Sequence, residues 1–131
     1  MIVDCCCCND STLKTICISY WKQLKVIEIG PHSMKSVRVV RLVGLNALEK
    51  VIVGMHCFTC IASEDKQLKC SFTLRDCEKL TELRVGRESF SDYSVFDVSN
   101  LPSLEVIEMG SMEYNSSNFY SASLELRSEL N

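Results

Sequence analysis

The chain has no apolar run longer than a few residues, so nothing in it approaches the ~20 consecutive apolar positions that a membrane-spanning helix needs. Its N-terminus lacks the basic and hydrophobic regions of a signal peptide, so as written nothing exports or embeds it. Basic charge is also short. The 14 Lys and Arg residues are outnumbered by 17 Asp and Glu, are spread along the chain and leave a net charge of −3, which gives no stripe for neutralising phosphates and argues against nucleic acid as a partner. Only two prolines and five glycines occur.

What is abundant is apolar. At 131 residues, 47% apolar and 24% charged, the chain is one domain's worth and can bury a core. The nine cysteines are an odd number in irregular spacing, which argues against a disulfide framework and favours a reducing, cytoplasmic setting.

The glycines mark a repeat. Gly30, Gly54, Gly86 and Gly110 each close a phrase of the form Leu-x-x-apolar-x-apolar-Gly: LKVIEIG, LEKVIVG, LTELRVG and LEVIEMG, at offsets of 24, 32 and 24 residues. Before each lies an apolar-x-apolar-x-x-apolar phrase (ICISYWKQ, VRLVGLNA, FTLRDCEK, FDVSNLPS). After each glycine a small or polar residue precedes a bulky one: Ser33-Met34, Cys57-Phe58, Ser89-Phe90 and Glu113-Tyr114. LEL at 124–126 begins a fifth copy. Self-similarity at this period is the mark of a solenoid, and period-two segments rich in Ile and Val suit short strands. The expected fold is a β-rich solenoid of about four stacked coils of roughly 24 residues, with short parallel strands. Residues 1–15 form a cysteine-rich tail or remnant coil, 16–126 the repeat domain with an insertion at 59–71, and 127–131 a tail.

Stacking predicts ladders: Ile16, Val40, Phe72, Phe96 and Leu124; Ile18, Leu42, Leu74, Val98 and Leu126; Trp21, Leu45, Cys77 and Leu101; Leu24, Leu48, Leu80 and Leu104; Ile27, Val51, Leu83 and Ile107; Ile29, Val53, Val85 and Met109; Met34, Phe58, Phe90 and Tyr114. Glycine closing each strand suggests a turn with positive φ. An exposed Leu124-x-Leu126 edge predicts edge-to-edge self-association.

The phrases LRDCEKLTELRVGRESF and VSNLPSLEVIEMG resemble leucine-rich repeats of the β-rich kind seen in BspA-like proteins of bacteria and anaerobic protists, over about residues 16 to 126. The resemblance implies a non-enzymatic protein-binding module with an unidentified protein partner, no cofactor and no metal. The chain departs from the LxxLxLxxN form, having glycine before the asparagine position, and carries no recognisable capping coil. On such a fold the partner-facing positions alternate with the core: Val26, Glu28, Lys50, Ile52, Glu82, Arg84, Val106 and Glu108. Stacking sets Lys50 beside Glu82 and Arg84 beside Glu108, while Val26, Ile52 and Val106 are apolar groups on an exposed surface.

Other readings carry less. A spacer segment of a longer surface or scaffold protein needs no partner on this face. A zinc or thiol protein would use CFTC (57–60) with Cys70 and Cys77, but Cys57 and Cys77 fall on ladder positions and read as small buried hydrophobes. His32 and His56 stack without an evident acid or nucleophile. Extended backwards by 24 residues, the repeat places Val3 and Cys5 on the Ile27 and Ile29 ladders and then fails, so Cys5, Cys6, Cys7 and Cys8 read as an incidental end.

Overall fold

The computed structural model describes residues 1–60, 69–110, 118 and 123–127, the last stretch by its backbone. Among them are ten strands and no helix: β1 (Ile2–Val3), β2 (Thr15–Ser19), β3 (Val26–Ile29), β4 (Val39–Val43), β5 (Lys50–Val53), β6 (Ser71–Arg75), β7 (Glu82–Val85), β8 (Val95–Ser99), β9 (Val106–Met109) and β10 (Ser123–Arg127). Successive strands alternate between two parallel five-stranded sheets, ordered β1-β3-β5-β7-β9 and β10-β8-β6-β4-β2. No helix among the described residues is long and apolar enough to cross a membrane.

The register is the one the repeat predicts. Ile16, Val40, Phe72, Phe96 and Leu124 pair in one row of the second sheet, and Ile18, Leu42, Leu74, Val98 and Leu126 in another. In the first sheet Ile27, Val51, Leu83 and Ile107 align, as do Ile29, Val53, Val85 and Met109. From β2 to β8 alternate residues of each strand turn inward, so the rows of the two sheets meet in one core. Stacked Phe58 and Phe90 rings, centroids 4.6 Å apart, fill its far side. Two predicted core positions are open instead: Trp21 is 49% exposed and Ile107 39%, because each lies in an outermost described repeat with a neighbour on one side only.

Of the four closing glycines, Gly110 shows the expected left-handed turn at φ +77°, and the other three work differently. None of Gly30, Gly54 and Gly86 has positive φ; a Cβ at each would stand 2.5–2.7 Å from backbone atoms of the preceding repeat. Glycine is there because adjacent backbones touch. Positive φ falls on other corners. The second residue after the glycine position carries it (Cys6, His32, His56, Glu88), as does the fourth (Cys8, Met34, Phe58, Phe90) and the residue after each second-sheet strand (Tyr20, Gly44, Asp76, Asn100). The left-handed conformation costs a non-glycine residue about 1–2 kcal/mol. Here it lets the corner N–H groups bond between repeats: His32 N to Met55 O, His56 N to Arg87 O, Gly44 N to Arg75 O and Asp76 N to Ser99 O. Hydrogen-bond ladders thus continue around the bends, where buried backbone groups would otherwise lack partners.

The first repeat corrects the expected register by two residues. Val3 pairs with Ile29 and Ile2 with Glu28, an offset of 26 rather than 24. The register does not fail after Cys5. Cys6 N donates to Pro31 O at 2.9 Å, Cys7 N to Ser33 Oγ at 3.1 Å, and Met34 N to Cys7 O at 3.1 Å. Asp4 takes the glycine position, Cys7 the small one and Cys8 the bulky one. The two additional residues are absorbed before β2, where Asp10 Oδ1 accepts from Thr12 N and Thr12 Oγ1, both at 2.7 Å. Those bonds lower the Asp10 pKa.

The small position forms a ladder of its own. Ser33 Oγ donates to Asp4 O, Cys57 Sγ to Gly30 O and Ser89 Oγ to Gly54 O, each reaching the preceding repeat. Asn118 Nδ2 does the same to Gly86 O at 2.8 Å. Glu113 and Tyr114, expected in this turn, lie outside the described residues.

Candidate functional site: the outer face of the first sheet

Parallel pairing gathers all eight expected partner-facing residues on one surface, in two rows: Val26, Lys50, Glu82 and Val106, and Glu28, Ile52, Arg84 and Glu108. Lys50 Nζ lies 3.8 Å from Glu82, while Arg84 reaches Glu82 through Nε at 3.2 Å and Glu108 through Nη1. The hydrogen bond that Arg84 donates to Glu82, then the charge of Glu108, raises the Arg84 pKa. These pairs are solvent-exposed and screened. Arg84→Ala is therefore expected to lower Tm by about 3 °C or less in low salt, and the difference should vanish in molar NaCl; a larger, salt-independent loss would mean that Arg84 supports packing.

Val26, Ile52 and Val106 are half-buried rather than exposed. On a stacked surface the stems of the neighbouring charged side chains cover them. The larger apolar groups lie at the sheet's first edge. Ile2, 73% exposed, continues the second row beside Glu28. Trp21, with Met1, Ile2, Gln23, Leu24, Lys25, Val26 and Glu28, lines an open groove of about 580 Å³. Among the described residues Glu28 has no ion-pair partner. Sequence reasoning missed Ile2 and Trp21: the offset of 24 misplaced β1, and the ladder placed Trp21 inside. The signal that would have found β1 is the small-then-bulky pair of the turn, which Cys7 and Cys8 occupy.

Between the sheets a void of about 20 Å³, roughly one water's volume, is lined by apolar side chains including Ile27, Val51, Phe58 and Phe72.

At a corner of the fold His32 and His56 stack at 5.0 Å, as their shared position implies. The acid expected to be missing is present: Glu88, at the same repeat position, lies 2.8 Å from His56 Nδ1. A 32-residue step from His56 reads it off the sequence. The stacked arrangement points along the repeat axis and does not converge on a substrate atom.

The cysteines divide by environment. Cys60 and Cys70 are disulfide-bonded, which closes the insertion at its base; the expectation of an all-thiol protein is corrected by the insertion bringing its two ends together. Cys57 and Cys77 are buried, and desolvation pushes both thiols up. Of the four cysteines weighed as a zinc set, Cys60 and Cys70 are thus bonded to each other, and among the described residues no three His, Cys, Asp or Glu side chains group to hold a metal ion.

The chain matches no family model, no curated protein and no solved structure. Its function is therefore argued from the face and the groove.

Proposed function

We infer that the chain is a leucine-rich-repeat solenoid of the β-rich, BspA-like kind, and that it binds a protein partner through the outer face of the first sheet. Strands that alternate between two parallel sheets, each pairing only with the equivalent strand of the next repeat, support the solenoid. One observation carries the binding role. Ile2 and Trp21 stand exposed around the groove that contains Val26 and the unpaired Glu28, so large apolar groups and a charge await a complementary surface. Among the described residues the outer edge of β10 pairs with no further strand, which supports edge-to-edge self-association as a second contact.

The paired row Lys50, Glu82, Arg84 and Glu108 favours one other reading, a spacer whose face is satisfied by its own charges. The two separate by photo-crosslinking. A photoreactive residue at Ile2 or Ile52 is expected to give one discrete protein adduct in extracts of the source cells, while the same residue at Thr73, on the other sheet, gives none. The variant V26K/I52K/V106K should abolish that adduct and keep its β circular dichroism. Equal labelling from all three positions, or an adduct indifferent to the triple substitution, would leave the spacer.

A further inference from the structure

The four adjacent cysteines are not equivalent. Adjacent side chains of an extended strand point to opposite faces, so neighbouring thiols normally diverge. Here Cys6 has φ +59°, the left-handed conformation shared by His32, His56 and Glu88, and the bend swings two thiols to one side: Cys5 Sγ and Cys6 Sγ are 3.2 Å apart and both exposed. Four hydrogen bonds hold that bend. Cys6 N donates to Pro31 O at 2.9 Å, Cys7 N donates to Ser33 Oγ at 3.1 Å, and Asn9 Nδ2 donates to both Cys6 O and His32 O, at 3.2 and 2.9 Å. Lys35 N donates in turn to Asn9 Oδ1 at 3.0 Å, so the clamp is itself fixed. Cys7 is half-buried instead, at the small position held by buried Ser33, Cys57 and Ser89.

We propose that Cys5 and Cys6 form a preorganised vicinal dithiol site for trivalent arsenicals, soft electrophiles that take two thiolates at one atom. Thiolate sulfur is a soft donor and selects soft acceptors. A pyramidal arsenic holds its two sulfurs at close to a right angle, which brings them as near as these thiols already stand. A linear two-coordinate ion would drive them apart, and a tetrahedral ion needs ligands that the described residues do not group. The reaction is a condensation without redox change: an arsenic–oxygen double bond and two S–H bonds break, two As–S bonds form, and water leaves with both thiol protons. The thiol–thiol hydrogen bond raises the Cys5 pKa, so Cys5 rests as a thiol and yields its proton to the departing water.

Phenylarsine oxide titrated into the full chain with its Cys60–Cys70 disulfide intact, read by intact mass and peptide mapping, tests this. The wild type is expected to bind one equivalent across Cys5 and Cys6, C7S and C8S to bind within about 3-fold of it, and C5S and C6S to lose about 100-fold or more, the chelate advantage of a second tethered bond. Asn9→Ala, which frees the Cys6 carbonyl, should weaken binding several-fold while leaving circular dichroism unchanged. Retained affinity in C5S or C6S would overturn the site. Equal loss in C7S and C8S, or full affinity in N9A, would show an unstructured thiol run and overturn the preorganisation.

Discussion

Gly86→Ala is expected to destabilise the protein by about 3 kcal/mol, near the upper end of what overpacking costs, whereas Gly44→Ala should cost about 1 kcal/mol, the penalty of a left-handed alanine. A Cβ on Gly86 would stand 2.5 Å from Gly54 C and from Met55 N, backbone atoms that can yield only if two repeats separate. Separation would also break Gly86 N to Val53 O and the Ser89 Oγ bond to Gly54 O. A Cβ on Gly44 would instead meet the Tyr20 ring at 2.6 Å, and Tyr20 is 73% exposed and swings away. Urea unfolding followed by circular dichroism ranks the two variants. Equal midpoints would refute close backbone stacking as the reason for glycine at 30, 54 and 86.

Strand pairing was legible because a row of stacked apolar side chains demands the same residue class at the same repeat position. Ile27, Val51 and Leu83 satisfy that demand whatever the intervening loops do. Backbone conformation was less legible. Glycine invites a positive-φ reading, but Cys6, His32 and Glu88 adopt that conformation with side chains, because the hydrogen bonds between repeats offset its cost. The first repeat was misread since its cysteines resemble neither glycine nor a bulky core residue; only the contacts of Cys6 and Cys7 restore its offset of 26. On the candidate face the charge pairs followed from register alone. The groove did not, since it needs Ile2 and Trp21 to be outside, and a ladder argument puts every apolar ladder member inside.

Tyr93, in the connection between β7 and β8, is a fully buried part of the core. It occupies the position of Val37, three residues before the second-sheet strand motif; the third repeat has exposed Lys69 there. The phenol fills the space that Lys69 vacates. Its ring meets Phe90 edge-on at 4.9 Å and Phe58 at 6.5 Å, and its hydroxyl donates to Val37 O at 2.5 Å, 56 residues away. Tyr93→Ala should cost about 3–5 kcal/mol through the cavity it leaves. Tyr93→Phe should cost about 1–3 kcal/mol, because it strips the buried Val37 carbonyl of this bond. The hydroxyl gives the second variant a pH signature. Burial raises the Tyr93 pKa above its ordinary value. The unfolded phenol ionises near pH 10 while the folded one stays protonated, so this contribution is complete below pH 10 and falls by about 1.4 kcal/mol per pH unit above it. Tyr93→Phe lacks that loss. Its deficit against wild type should therefore shrink from pH 8 to pH 11 in urea titrations, the other alkaline groups being common to both chains. A deficit constant across that range would mean that Tyr93 titrates normally and that its hydroxyl is not held in the core.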